Sequence, residues 1–208
     1  MISLSKEKTL KYCARFFLLI IGLMVLFGSL ILTSLETIAN DEERKNKLRN
    51  VPIEYVKEMK NGEKILKVYK VPESKVGPEN NQYLIKKMRD KLWIDLSKSP
   101  KDKSEIYLLI ADKKIFETVE LIKNKKNEDL ILKTLDEAVF HLKESKKILL
   151  GENKKDIEII KIDEQIIRAG LAYEDIVKSF NYKDEGIKTI INDIEKWNKK
   201  NIENEEKN

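Results

Sequence analysis

Twenty consecutive residues without a charge, Phe16 to Leu35, constrain this chain more than any other stretch. The run reads FFLLIIGLMVLFGSLILTSL, with only Ser29, Thr33 and Ser34 as polar interruptions. A helix rises about 1.5 Å per residue, so such a run reaches roughly 30 Å, the thickness of a bilayer's hydrocarbon core. Its hydroxyls can bond back to the helix's own carbonyls and cost little. The expectation is one transmembrane helix over 16–35.

Charge gives the direction. Lys6, Lys8, Lys11 and Arg15 precede the run against a single acid, Glu7, whereas Glu36, Asp41, Glu42 and Glu43 follow it. Positive residues beside a span stay in the cytoplasm, which places 1–15 inside as a short tail and 36–208 outside. The rival topology is a secretory signal cleaved near Ala39. Signal cores usually run 7–15 residues, shorter than this one. Under either topology the bulk of the chain is extracytoplasmic.

The 173 residues beyond the run carry 37 bases and 35 acids, interspersed. A nucleic-acid module shows a one-sided basic surface, so nucleic acid is not the expected partner. Cys13, the only cysteine, precedes the run, and no disulfide framework holds the exported part. Seven glycines and four prolines are few, and with abundant Leu, Lys and Glu they favour helices over a β-sandwich.

Residues 36–78 read as a juxtamembrane stalk. Within it, Asn61-Gly62 separates IEYVKEM from KILKVYKV, two runs rich in β-branched and aromatic residues. Asn-Gly in that setting signals a hairpin, here near 53–71. The alternative is an irregular stalk with a helical stretch around 53–60.

From Asn80 the apolar period turns helical. Leu84, Met88, Leu92 and Leu96 form one stripe, widened by Ile85 and Trp93. Ser99 as cap, Pro100 at the first helical position and Asp102 three on from Ser99 open a second helix, bearing Ile106, Leu109, Ile110, Phe116, Val119 and Ile122. A third starts near Asn127, carries Ile131, Leu135, Ala138, Val139 and Leu142, and ends at Gly151 as a left-handed cap. A fourth spans roughly 155–180, with Ile159, Ile162, Ile166, Ala169, Ala172, Tyr173 and Ile176 inward; Gly170 permits close packing. Asp184 caps the fifth, whose face is Ile187, Ile190, Ile191, Ile194 and Trp197. Acid-to-base pairs at i,i+4 support the exposed faces: Glu164–Arg168, Glu174–Lys178, Asp184–Lys188 and Glu195–Lys199. The expected fold is all-α: the anchor, then an antiparallel bundle of four or five helices over 79–203, with the possible hairpin before it and a disordered tail at 204–208.

The stretch VGPENNQYLIKKMRDKLWIDLSKSPKDKSEIYLLIADKKIFETVEL, within 76–140, resembles the bacterial domain of unknown function 5667 family. The pattern is a Pro/acid-rich lead-in, Tyr83-x-x-Lys86, a basic and aromatic helix, a break at Ser99 to Lys103, and a second helix carrying 111–117. Asn81-Gln82 stand where the family often has Pro, and Lys113-Lys114 replace an Arg-containing pair. The resemblance implies a membrane anchor with exported helices. It implies no activity, and no site residue carries over.

Chemistry-bearing patterns are sparse. The chain has no glycine-rich phosphate loop and no Gly-x-Ser-x-Gly elbow. His141 is its only histidine, at i,i+4 from Glu137, whereas a di-iron bundle needs Glu-x-x-His on two helices. The pairs Asp136/Glu137 and Asp163/Glu164 are expected by composition in a chain of 36 acids. Trp93 and Trp197 read as core anchors. Gly22 and Gly28 could admit a neighbouring helix in the membrane, but their spacing is not Gly-xxx-Gly. No catalytic residue, cofactor or metal is expected. The resulting expectation is a non-catalytic, membrane-anchored interaction or scaffolding module with a protein partner in the membrane or envelope. The alternatives are a ligand-binding or carrier domain with a groove between helices, or an envelope-acting hydrolase. The last requires convergent carboxylates in a cleft, one with its pKa shifted by burial.

Overall fold

The computed structural model describes residues 15–30, 32, 50–59, 62–152, 156–180 and 183–205. The first element, α1, is a helix over 15–30. Phe16, Phe17, Leu18 and Leu19 are all exposed, and four successive residues cover every side of a helix. Among the described residues no helix is long and apolar enough to cross a membrane. Residues 31 and 33–35 of the expected span lie outside the described ones, as do Cys13, Ala39 and the stalk up to residue 49.

The hairpin forms, and the fold is mostly helical with a small sheet rather than all-α. Strand β1 (Asn50–Glu58) pairs antiparallel with β2 (Lys64–Pro72), from Asn50 opposite Pro72 to Glu58 opposite Lys64. The Met59 amide donates to the Glu63 carbonyl and the Gly62 amide to the Met59 carbonyl, both at 2.8 Å. Gly62 has a φ of 80°. That bond spacing belongs to a three-residue loop closed by a left-handed glycine, rather than to a two-residue Asn-Gly turn. Alternation then sorts the strands: Ile53, Tyr55 and Val71 are buried, while Val56, Leu66 and Val68 face outward.

Five helices follow: α2 (Tyr83–Leu96), α3 (Pro100–Lys123), α4 (Glu128–Leu149), α5 (Ile157–Ser179) and α6 (Glu185–Glu205). The last runs two residues past the bundle's expected end. Caps start most of them. Ser99 Oγ accepts from the Asp102 amide at 3.0 Å, Asn127 from the Asp129 amide, Asp156 from the Glu158 amide and Asp184 from the Ile187 amide. Gly151 does not cap α4 in the left-handed form, since Gly62 is the only described glycine with positive φ. Helix α4 instead closes on Leu150 in right-handed geometry, its amide bonding back to the Lys147 carbonyl.

Cross-helix pairs give the directions. Ser104 meets Ser145 and Lys114 meets Glu137, so α3 and α4 run antiparallel. Lys178 meets Glu195 and Glu174 meets Asn198, so α5 and α6 do too. Lys101 meets Glu158 and Asp112 meets Tyr173, which makes α3 and α5 parallel. One core runs through α3 to α6 and takes in the inner face of the hairpin. A smaller cluster, Trp93, Ile94, Ile106 and Ile110, ties α2 to α3. Two of the four expected i,i+4 pairs form, Glu164–Arg168 and Glu174–Lys178. Lys188 turns instead to Glu185, because Asp184 is engaged as a cap, and Glu195 takes Lys178 from α5.

Candidate functional site

Helix α2 turns the first part of its apolar stripe outward, leaves Leu92 and Leu96 half-buried and keeps Trp93 inside. Leu84 is 68% exposed and Ile85 49%, with Met88 also outward, whereas Lys86 is 8% exposed and Asp90 6%. Trp93 and Ile94 complete the buried side. Positions 86, 90 and 93 share a face at helical spacing, so the helix offers its core a lysine, an aspartate and a tryptophan. The expectation that Leu84 and Met88 head the inward stripe is corrected here.

The partner of that buried face is itself charged. Helix α3 buries Lys113, Lys114, Glu117 and Thr118 beside it. Glu117, 2% exposed, accepts from Tyr83 OH at 2.8 Å on Oε2 and from Ser74 Oγ at 2.6 Å on Oε1. Lys86 Nζ also donates to Oε1, and to Ser74 Oγ at 2.8 Å. Lys114 Nζ donates to Tyr83 OH and to Glu137 Oε2 on α4, where Lys87 Nζ reaches Oε1 at 2.7 Å. Burying an ion pair is costly unless the remaining lone pairs and protons are satisfied, and here several donors do so. Burial lowers the Lys86 pKa, with Glu117 pulling the other way. Burial also works to raise that of Glu137, but hydrogen bonds from Lys114 and Lys87 outweigh it and leave it lowered. Tyr83 is raised by burial and then by Glu117, so its hydroxyl remains a donor.

Beside this network a groove of about 410 Å³ opens between α2, α3 and α4. Met88, Ile94, Tyr107, Ile110, Phe140 and His141 line it. Phe140 is 55% exposed, which continues the Leu84–Ile85–Met88 surface across to α4. The His141 ring lies 5.6 Å from Tyr107 and 5.3 Å from Phe140. Burial, then repulsion from Lys114, pushes its pKa down to about 4, so it is neutral near pH 7. Its Nδ1 is sealed without a hydrogen-bond partner among the described residues.

A second cluster sits where the hairpin meets the bundle. Asp112 Oδ1 accepts from Tyr69 OH at 2.9 Å and from Tyr173 OH at 2.7 Å. Burial raises its pKa to about 7 although both hydroxyls favour the anion. The two tyrosines are raised by burial and by Asp112 itself.

The residues singled out in the sequence are dispersed. Glu137 is engaged by two lysines and His141 by aromatic rings, and no group of three metal-ligating side chains occurs among the described residues. Asp136 is exposed. Asp163 pairs with Lys146 at 2.5 Å and Glu164 with Arg168 at 3.2 Å. Trp93 is buried and Trp197 packs against the main core, both as anchors. Residues that composition alone passed over, Asp112, Glu117 and Lys114, form the two polar clusters. Their signal was present in Ala111–Glu117, where charges interrupt an otherwise apolar helix.

Comparisons with family models, with curated proteins and with solved structures find no match to the chain.

Proposed function

We propose that the protein is a membrane-tethered, non-catalytic module that holds a partner helix on the apolar surface of α2 and its groove. The outward turn of the first part of the α2 apolar stripe carries the reading. A helix that buries Lys86 and Asp90 and leaves Leu84, Ile85 and Met88 in water has forgone apolar burial. Contiguous exposed apolar surface marks interaction sites. A groove flanked by Met88 and Phe140 suits the apolar face of an amphipathic helix, read as anchors at helical spacing.

The membrane tether rests on a separate observation. A helix apolar on all sides is the kind that sits in lipid, and α1 with its outward Phe16, Phe17, Leu18 and Leu19 is such a helix. The basic residues before it orient the bundle outward.

The test is site-directed photo-crosslinking in intact cells, with the reactive side chain replacing Met88. One discrete adduct is expected, abolished by Leu84→Lys and by Phe140→Lys. No adduct, or one that survives both substitutions, overturns the proposal. Topology is read in the same cells with a membrane-impermeant thiol reagent. A cysteine introduced at exposed Lys199 should react and Cys13 should not.

A further inference from the structure

The hairpin, α3 and α5 enclose a cleft of about 470 Å³, within the range that small-molecule sites occupy, with both apolar and charged side chains on its walls. Asn50 and Lys70 come from the hairpin, Glu105 and Asp112 from α3, and Lys161 and Gln165 from α5. The Lys101–Glu158 pair, at 2.5 Å, also borders it.

Asp112 is half-used. Both tyrosine hydroxyls fall on Oδ1, which fixes the carboxyl group in position. Its Oδ2 has no hydrogen bond among the described residues, yet is not one of the sealed, unsatisfied atoms. Asp112 is itself one of the residues that line the cleft. No described base forms a salt bridge with Asp112. Lys70 and Lys161, on the other two walls, likewise form none with a described acid. A carboxyl oxygen without a cation and two ammonium groups without an anion thus share one concave surface.

We infer that this cleft binds a small zwitterion, a free amino acid or short peptide, with its ammonium group on Asp112 Oδ2 and its carboxylate toward Lys70 and Lys161. An ammonium ion gains most from the ionised carboxylate, whose charge burial otherwise disfavours. The raised pKa of Asp112 then gives binding a pH dependence: affinity falls as pH drops below about 7, because the proton competes with the ligand. The titratable groups around it are Lys101 and Glu105 on its own helix, Glu158, Lys161 and Tyr173 on α5, and Tyr69 and Lys70 on β2. Tyr55 of β1 stands beside Tyr69.

The test is calorimetric titration of the full-length protein in detergent with glycine and triglycine, and with methylamine and acetate as half-ligands, at pH 8 and pH 5. A zwitterion should bind at least about tenfold more tightly than either half-ligand, and roughly a hundredfold more weakly at pH 5 than at pH 8. Asp112→Asn should weaken zwitterion and methylamine about tenfold or more and leave acetate unchanged. Lys161→Met should weaken zwitterion and acetate alone. Should Asp112→Asn lose its near-UV circular dichroism, the Lys161→Met result and the pH series decide. No binding of either zwitterion up to about 10 mM, affinity independent of pH, or methylamine binding as tightly as glycine overturns the assignment.

Discussion

Lys125 holds the position where a helix most often hands over to glycine. Its φ is 50°, the Lys126 amide reaches the Leu121 carbonyl at 3.0 Å and the Lys125 amide reaches that of Ile122 at 3.0 Å. These two bonds close α3 with a Schellman motif whose left-handed residue carries a Cβ. That conformation costs an ordinary residue roughly 1–2 kcal/mol, so Lys125→Gly should stabilise the protein by about 1 kcal/mol in urea denaturation, even after the entropy glycine adds to the unfolded chain. Gly170 is the converse case. A Cβ there would stand 2.6 Å from Trp197 Cζ3 and 2.4 Å from Asn198 Oδ1. Gly170→Ala gains helix propensity of about 1 kcal/mol but wedges α5 from α6, and a net loss of roughly 1–3 kcal/mol is expected from the same measurement. The close approach at Gly170 was legible, since a glycine inside a long helix needs a packing reason. The cap at Lys125 was not, because nothing in KNKKNED distinguishes the residue that takes positive φ.

Among the elements, α2 shows where an apolar period misleads. Its sequence holds two helical faces, Leu84–Met88–Leu92 and Lys86–Asp90, with Trp93 at the margin of the first, and hydrophobicity alone selects the first. The choice falls to the second because α3 offers Glu117 and Lys114, which only a charged face can satisfy. Helices α4, α5 and α6 bury the faces their period suggests, whereas α3 keeps Ile106, Ile110 and Val119 inside but buries Leu108, Ile115 and Leu121 in place of Leu109, Phe116 and Ile122, which are half-buried. The caps at Ser99, Asn127 and Asp184 sit where expected. Glu117→Gln leaves Lys86 and Lys114 in surplus and should cost about 3–5 kcal/mol of stability, as breaking a buried pair does. Leu84→Ser, on the nominally apolar face, should change stability by no more than about 0.5 kcal/mol. Denaturation midpoints of the two variants check the packing, and equal losses would mean that α2 buries Leu84 after all.

Across the whole molecule, Asp112 and His141 oppose each other. Neither role could be read locally: the tyrosines on Asp112 are 43 and 61 residues away in the chain, and the groove that buries His141 is built from three helices. In the folded state Asp112 keeps its proton up to about pH 7, whereas unfolded aspartate loses it near 3.9. Between those values the folded state binds the extra proton, and stability falls as pH rises, by at most about 1.4 kcal/mol per unit. His141 has the opposite sign. Its folded pKa of about 4 lies below the unfolded 6.5, so the unfolded state binds the extra proton and stability rises with pH over that window. Glu137, held low chiefly by Lys114 and Lys87 against its own burial, acts at more acid pH. From about pH 4.5 to 6.5 the two slopes should therefore nearly cancel, leaving a flat stability profile. Asp112→Asn should uncover the histidine, with stability climbing by up to roughly 2 kcal/mol across the window; His141→Leu should uncover the aspartate, with a comparable fall. Urea midpoints at pH 4.5, 5.5 and 6.5 for the three chains read this directly. Slopes of the same sign in the two variants would show that these groups do not hold opposite protonation states in the fold.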